Sequence, residues 1–277
     1  MISNRHELLS CEIIDIEQRF PSGVISIIGQ GTSCFVGLVD HQTVLKYPLF
    51  PDNRFRIEVE QKSLEHVGPH PRVVESAGLT EDGLLLRYAQ NGTLHNYISQ
   101  QSKLSTTQLL RFCIQIAEGL MHLHSRSVYY GALRPGNILL DENLDIKLAD
   151  IQGVLISNGK VVLDGLARES SMYYMPRDGD RMDTTTDLFA FGSTVHFIMT
   201  GQEVFPDLVP TAYGDDEEYE NEIYRRFTDK ELPDVSHPCA TVTQRCWRGM
   251  YDSAEQLLMD LEALIKRLDA GTSVSVM

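Results

Sequence analysis

The period of the apolar pattern switches once along this chain, near residues 88–93, and no other feature restricts the fold as much. Before the switch, GVISIIG, CFVGLVD and TVLKYP over residues 24–46 are β-rich runs separated by Gly-containing or polar turns, the pattern of an antiparallel sheet. RFRIEVEQKSLEHV then places Ile57, Gln61, Leu64 and Val67 close to helical spacing and stops at Gly68-Pro69. Val73-Val74 and GLLLRY, the second after the Asp82-Gly83 turn, read as two more strands. After Asn91-Gly92 the pattern is helical. Ser105-Thr106-Thr107-Gln108 has capping-box form and opens LLRFCIQIAEGLMHLHS, long and apolar enough for a buried helix. NILLDENLDIKLAD reads as a hairpin of short strands. TDLFAFGSTVHFIMTG is apolar nearly all round, as a central core helix would be. GDDEEYENE at 214–222 is a solvated acidic run, and AEQLLMDLEALIKRL is a last amphipathic helix. The expectation is an α+β chain, a small β-rich part followed by a larger helical part, with a lead-in over 1–19, a tail over 269–277 and no internal repeat.

A chain of 277 residues allows one large domain or two lobes sharing a cleft. With 42% hydrophobic and 23% charged residues it can bury a sizeable core, which excludes global disorder and a disulfide-stapled miniprotein. Twenty-four basic against 39 acidic residues leave a net charge of −15. That argues against a broad nucleic-acid surface or a polybasic membrane anchor, but leaves room for a local basic pocket for a phosphate. The 5 cysteines are scattered with no C-x-x-C pair, so neither zinc nor a disulfide framework is expected. No run approaches the roughly 20 apolar residues that span a bilayer. The charged N-terminus lacks a signal-peptide core, so the expected setting is cytoplasmic or nuclear. Asn91-Gly92-Thr93 then reads as a turn, not a glycosylation site.

Gly29-Gln30-Gly31 lies between two expected strands, where glycines let backbone N–H groups approach phosphate oxygens. By itself it reads better as a plain hairpin turn. Lys46 at the end of a β run and Glu60 on the next helix read alone as an exposed strand residue and a solvated helix face. They are followed by HPRVV at 70–74, Arg87-Tyr88-Ala89, HLHS at 122–125, VYYGALRPGNILL at 128–140, KLADIQ at 147–152 and DLFAFG at 187–192. In this order and spacing the series resembles the eukaryotic protein kinase domain over about residues 20–268. Its form is divergent and pseudokinase-like, and it resembles kinase-like domains of filamentous fungi.

The resemblance implies a bilobal fold: a β-rich small lobe near 20–88, a hinge at 87–91 and a helical large lobe near 92–268. It also implies ATP and Mg²⁺ as cofactors. Gly29 and Gly31 match the first two glycines of the loop over the phosphates. Lys46 matches the lysine on the α/β-phosphates, and Glu60 the helix glutamate that pairs with it. Leu86 stands at the gatekeeper position and Ala89 in the hinge that holds adenine; Val36, Val44 and Leu139 complete the nucleotide-binding set. Asn137 and Asp150 match the two Mg²⁺ ligands, hard oxygen donors of the kind that ion prefers. Asp187 matches a structural aspartate of the central helix.

The departures carry as much information. Tyr130-Gly131-Ala132 stands where the family has His-Arg-Asp. Ala132 cannot accept the substrate's hydroxyl proton, a function worth roughly 10²–10⁴-fold in rate. Gly131 replaces the arginine that grips a phosphorylated activation segment. Phosphorylation at Ser170, Ser171, Tyr173 or Tyr174 is therefore not expected to order that segment. Arg134 replaces a lysine near the γ-phosphate and keeps its charge but not its compact geometry. Gln152 replaces the glycine of the metal-binding triplet, with Gly153 one residue late. Cys34 replaces the third loop glycine, and Val44 an alanine over adenine. Asn158-Gly159 between alternating apolar residues signals a hairpin inside the segment, against an ordinary ordered loop. Arg177 reverses the sign of a glutamate whose usual partner is a buried arginine, and Tyr251 is the residue expected opposite it.

Three readings follow: a pseudokinase that binds nucleotide and acts on a protein partner or by allostery, a weakly or unconventionally active Ser/Thr kinase, and a structural domain that has lost nucleotide. No nucleic-acid or membrane partner is expected.

Overall fold

The computed structural model describes residues 20–101 and 103–273; the expected lead-in over 1–19 and the tail beyond 273 lie outside them. The β-rich segment forms one five-stranded antiparallel sheet of β1 (Ser26–Gln30), β2 (Cys34–Leu38), β3 (Thr43–Pro48), β4 (Ser76–Leu79) and β5 (Leu84–Arg87), in the order β1-β2-β3-β5-β4. Strand alternation sorts its side chains onto two faces. Phe35, Leu45 and Tyr47 make a small cluster on one, while Cys34, Val44, Leu84 and Leu86 join the main core on the other. Lys46, two residues from Val44, therefore points to the core side, across from Val36 and Leu84 in the pairing register. Gly83 permits this register. A Cβ there would lie 2.2 Å from the Lys46 carbonyl oxygen.

Helix α1 (Arg54–Val67) crosses between β3 and β4 and buries Ile57, Glu60, Leu64 and Val67. It ends at Gly68, whose φ of 72° suits glycine, with its N–H on the Leu64 carbonyl. The strand expected at Val73-Val74 does not form there. Both side chains are buried, but Val74 N–H donates to Leu148 O at 2.9 Å and Leu148 N–H to Arg72 O at 2.8 Å. The apolar pair docks the turn onto the helical part, and the edge strand starts three residues later.

The remainder is α2 (Leu94–Gln100), α3 (Thr106–Ser125), the short strands β6 (Val128–Tyr129), β7 (Ile138–Leu140), β8 (Ile146–Leu148), β9 (Val154–Ser157) and β10 (Lys160–Asp164), then α4 (Thr184–Thr200), α5 (Asp216–Thr228), α6 (Ala240–Trp247) and α7 (Ala254–Ser273). α+β organisation with a sheet first and helices after is thus what the chain adopts. Only half of the expected capping box forms at α3, the Ser105 Oγ accepting from Gln108 N–H at 3.1 Å. A full box starts α4, where Asp183 accepts from Thr186 N–H and Thr186 Oγ1 from Asp183 N–H. Every α4 residue over 186–198 is buried, as its unbroken apolarity predicts. Gly192 lets α6 approach, since a Cβ there would stand 2.7 Å from that of Cys246.

Two histidines meet at this helix pair, His196 within α4 and His237 just before α6. His196 and His237 have ring centroids 5.9 Å apart, and neither His237 nitrogen has a hydrogen-bond partner among the described residues. Burial, with a smaller contribution from His196, lowers the His237 pKa from near 6.5 to about 4. A histidine that protonates more readily unfolded than folded draws protons into the unfolded state. Stability is therefore expected to fall as pH drops from about 6.5 toward about 4. Urea unfolding across that window should show a steeper loss for the native chain than for His237→Phe; equal slopes would contradict this account.

Candidate functional site

Three elements converge on a buried charge cluster. Lys46 lies within β3, Glu60 lies in the middle of α1, and Asp150 follows β8. Lys46 Nζ lies 2.5 Å from Glu60 Oε2 and also bonds Asp150 Oδ1. Glu60 is fully buried and Lys46 nearly so. Burial by itself would lower the lysine pKa, but the Asp150 and Glu60 carboxylates together hold it well above its ordinary value. Asp150 is held below the usual carboxylate range: desolvation opposes ionisation, and Lys46 overrides it. Gln152 completes the cluster, its Nε2 donating to Asp150 Oδ1 at 2.8 Å and to Glu60 Oε2 at 3.3 Å. The residue at the glycine position of the triplet thus cross-links this turn to α1 through its side chain. Gly153 is not a displaced copy of that glycine. A Cβ there would lie 1.9 Å from the Tyr129 carbonyl oxygen, so close packing against β6 demands it.

The loop after β6 hangs from the central helix. Asp187, in the first turn of α4, accepts from Tyr130 N–H at 2.8 Å, from Gly131 N–H at 2.9 Å and from His124 Nε2 at 2.8 Å. Gly131 has φ of 64°, and a Cβ there would meet Met182 Sδ at 2.3 Å. An arginine at this position would carry backbone strain and would require the Met182 side chain to move. Tyr130 is fully buried and its hydroxyl donates to the Ala149 and Asn137 carbonyls, joining the loop to the strand before Asp150. Ala132 is buried and presents only a methyl group. Asn137 Nδ2 donates to the Ala132 carbonyl at 2.9 Å. Asn137 Oδ1 and the second Asp150 oxygen then have no protein donor among the described residues. Two free hard oxygens facing one cleft fit a divalent ion such as Mg²⁺.

That cleft has a volume of about 260 Å³ and is lined by Thr32 and Ser33 of the glycine loop, Ala132, Arg134, Asn137, Asp150, Gln152 and neighbours from α1 and the segment after β10. Among the described residues, Asp150 is the only carboxylate lining it. The apolar residues of the predicted site do not line that cleft. Val44 and Leu86 belong to the main core, Val36, Tyr88 and Leu139 pack against it, and Ala89 is buried. Cys34 also turns into this core. Gly31 N–H donates to Cys34 O at 2.8 Å, closing the loop turn. A Cβ at Gly29 or Gly31 would find only ordinary contacts, nothing nearer than 3.5 Å, so the fold itself does not require glycine at either position.

The segment from Asp150 to Pro176 is folded. Asn158 and Gly159, with φ of 51° and 72°, make the two-residue turn of a β9–β10 hairpin. β9 pairs with β6, and Arg56 of α1 donates to the Gly165 and Leu166 carbonyls just past β10. Ser171 and Tyr173 are buried, and Tyr173 Oη donates to Glu203 at 2.8 Å. The expected partnership of Arg177 with Tyr251 is corrected by the structure. Arg177 pairs with Glu169 of the same segment, both side chains nearly buried, and its guanidinium lies 4.6 Å from the Tyr174 ring centre. Tyr251 instead donates to Asp260 at 2.7 Å under the Arg245 guanidinium. Met182, Glu169 and Arg56 escaped sequence reasoning. Only Arg56, one helical turn before Glu60, carried a usable signal.

With this geometry in hand, comparison with known proteins is direct. The family model of the protein kinase domain matches residues 26–254, and the chain belongs to that family. It is 27% identical over 219 residues to a dual specificity protein kinase, pyk3, of Dictyostelium discoideum, covering 77% of this chain and 16% of that protein. It is 27% identical over 222 residues to a cGMP-dependent protein kinase of Plasmodium berghei, covering 74% of this chain and 24% of that one. A CBL-interacting protein kinase 11 of Oryza sativa subsp. japonica is 30% identical over 124 residues, 43% of this chain and 24% of that protein. The match thus spans a quarter or less of each of these relatives.

Removing the cation from a buried cluster strands its carboxylates. Lys46→Met is expected to destabilise the chain by about 3 kcal/mol, while Lys46→Met/Glu60→Leu recovers much of that loss. Urea unfolding of the native, single and double variants checks this; a double variant no more stable than the single would refute it.

Proposed function

We propose that this protein kinase domain is a nucleotide-binding pseudokinase whose output is an interaction with a protein partner, not phosphoryl transfer. The observation that carries the reading is the cleft around Ala132. Among the described residues no carboxylate other than Asp150 lines it, and one oxygen of Asp150 is engaged by Lys46 and Gln152 while the other faces the Mg²⁺ position. No group is placed to take a proton from a substrate hydroxyl. Nucleotide binding is supported by Lys46 on the phosphate side and by the apolar wall of Val36, Val44, Leu86, Ala89 and Leu139. It is also supported by two loop glycines that the fold does not need for its own packing. Mg²⁺, when bound through Asn137 and Asp150, would neutralise phosphate charge; these two residues would hold it, and Lys46 would orient the α/β-phosphates.

A second reading is a weakly active Ser/Thr kinase. The assembled Lys46–Glu60–Asp150 cluster favours it, because phosphoryl transfer depends mainly on positioning and electrostatics. A radiolabelled ATP assay on generic substrates and on the protein itself separates the two. Kinases turn over at roughly 1–100 s⁻¹, so loss of the base leaves at most about 1 s⁻¹, and the cross-linked metal turn should reduce it further. Incorporation near background is expected, with Asp150→Asn no different. Robust incorporation abolished by Asp150→Asn would establish the enzyme reading. Activity gained by Ala132→Asp alone would identify the missing base as the main defect.

A further inference from the structure

The chain carries 39 acidic against 24 basic residues, so an arginine here has carboxylates in excess to pair with. Three arginines from three separate elements nevertheless line one cleft without any: Arg56 of α1, Arg134 of the loop after β6 and Arg168 of the segment after β10. None forms an ion pair among the described residues. Arg134 and Arg168 are exposed toward solvent, and Arg56 spends hydrogen bonds only on the Gly165 and Leu166 carbonyls. Those two bonds tie the segment bearing Arg168 to the helix bearing Arg56, which holds the arginines of both around the same opening. Among the described residues the only carboxylate lining the cleft, Asp150, has one oxygen taken by Lys46 and Gln152. At about 260 Å³ the cleft is many times the roughly 30 Å³ share of one water.

We propose that Arg56, Arg134 and Arg168 form a clamp that takes the phosphate chain of a nucleoside triphosphate with no requirement for a divalent cation. The proposal rests on the nucleotide-binding reading above and adds how the charge is neutralised. A guanidinium is permanently charged and offers a planar fork that matches two phosphate oxygens at once. Three of them supply, from the protein, the positive charge that a metal ion would otherwise bring. They also work against the metal: all three line the same cleft as Asp150, and their positive charge repels a cation approaching that carboxylate. Gln152 has the same effect from the other side, because its amide occupies an acceptor oxygen that a metal would compete for. The change from lysine to Arg134 and the change from glycine to Gln152, separate departures in the sequence, then become parts of one adaptation.

Isothermal titration of the full chain tests this, with ATP in EDTA, ATP with Mg²⁺, adenosine and tripolyphosphate as the probes. ATP affinity in EDTA is expected to lie within about threefold of that in Mg²⁺. Arg134→Met and Arg168→Met should each weaken ATP in EDTA by about tenfold and leave adenosine unchanged, with Arg168→Lys in between. Circular dichroism and unfolding midpoints confirm that the variants are folded; Arg168 is exposed, so its conservative replacement leaves a usable comparison. ATP binding more than about tenfold weaker in EDTA would overturn the clamp while leaving the nucleotide reading standing, as would ATP affinity in EDTA unmoved by either Met variant. Tripolyphosphate binding as tightly as ATP, with adenosine not binding, would overturn it in favour of a bare polyphosphate site. Binding of neither ATP nor adenosine under either condition would sink the clamp and the nucleotide reading together.

Discussion

The salt bridge from Lys46 to Glu60 and Asp150 buries charges at the place where the sheet, α1 and the loop after β8 meet. Withdrawing such groups from water costs several kcal/mol each, and the loss is recovered only when their geometry is close to ideal. The sheet register, the rotation of α1 and the position of Asp150 therefore have to agree with one another. A slip of one residue in β3 would turn Lys46 to the Phe35–Tyr47 face and leave Glu60 buried without a cation. Gly83, which permits close approach to the Lys46 carbonyl, is part of the same constraint.

Around this cluster, further contacts fix the loop that carries Ala132 and the segment that follows Asp150. Asp187 suspends the loop carrying Ala132 from the central helix, and Tyr130 ties that loop to the carbonyl just before Asp150. The segment beyond is fixed by means of its own: a hairpin paired to β6, carbonyls bound by Arg56, and the Arg177–Glu169 pair beneath Tyr174. These contacts hold the segment without any phosphate. Met182 fills the space beside Gly131, where a phosphate-gripping side chain would otherwise stand.

Much of this was legible in the residues. The period switch gave the division into sheet and helices, Asn158-Gly159 marked its hairpin, and the ordered series of short motifs pointed to the site. What escaped shows where one-dimensional reading stops. Val73-Val74 looked like a strand because burial and strand pairing leave the same apolar trace; the structure buries them in a turn against Leu148. Gly153 looked like a shifted metal-turn glycine, but its reason is the Tyr129 carbonyl, which lies across the β6–β9 pairing. Arg177 was assigned a partner by analogy, yet its partner Glu169 lies eight residues before it.

By itself the sequence determined the order of elements, the α+β class and which groups are chemically able to act, since side-chain identity and local period are properties of the chain. Ala132 lacks a proton acceptor in any fold. Tertiary structure alone decided which charges share a site. Lys46, Glu60 and the turn of Asp150 and Gln152 come from different elements, as do Arg56, Arg134 and Arg168, and nothing in their spacing states which are paired and which are left without a carboxylate. The physical reason is that electrostatic energy depends on separation in space and on burial, and both are set only when the sheet and helices pack.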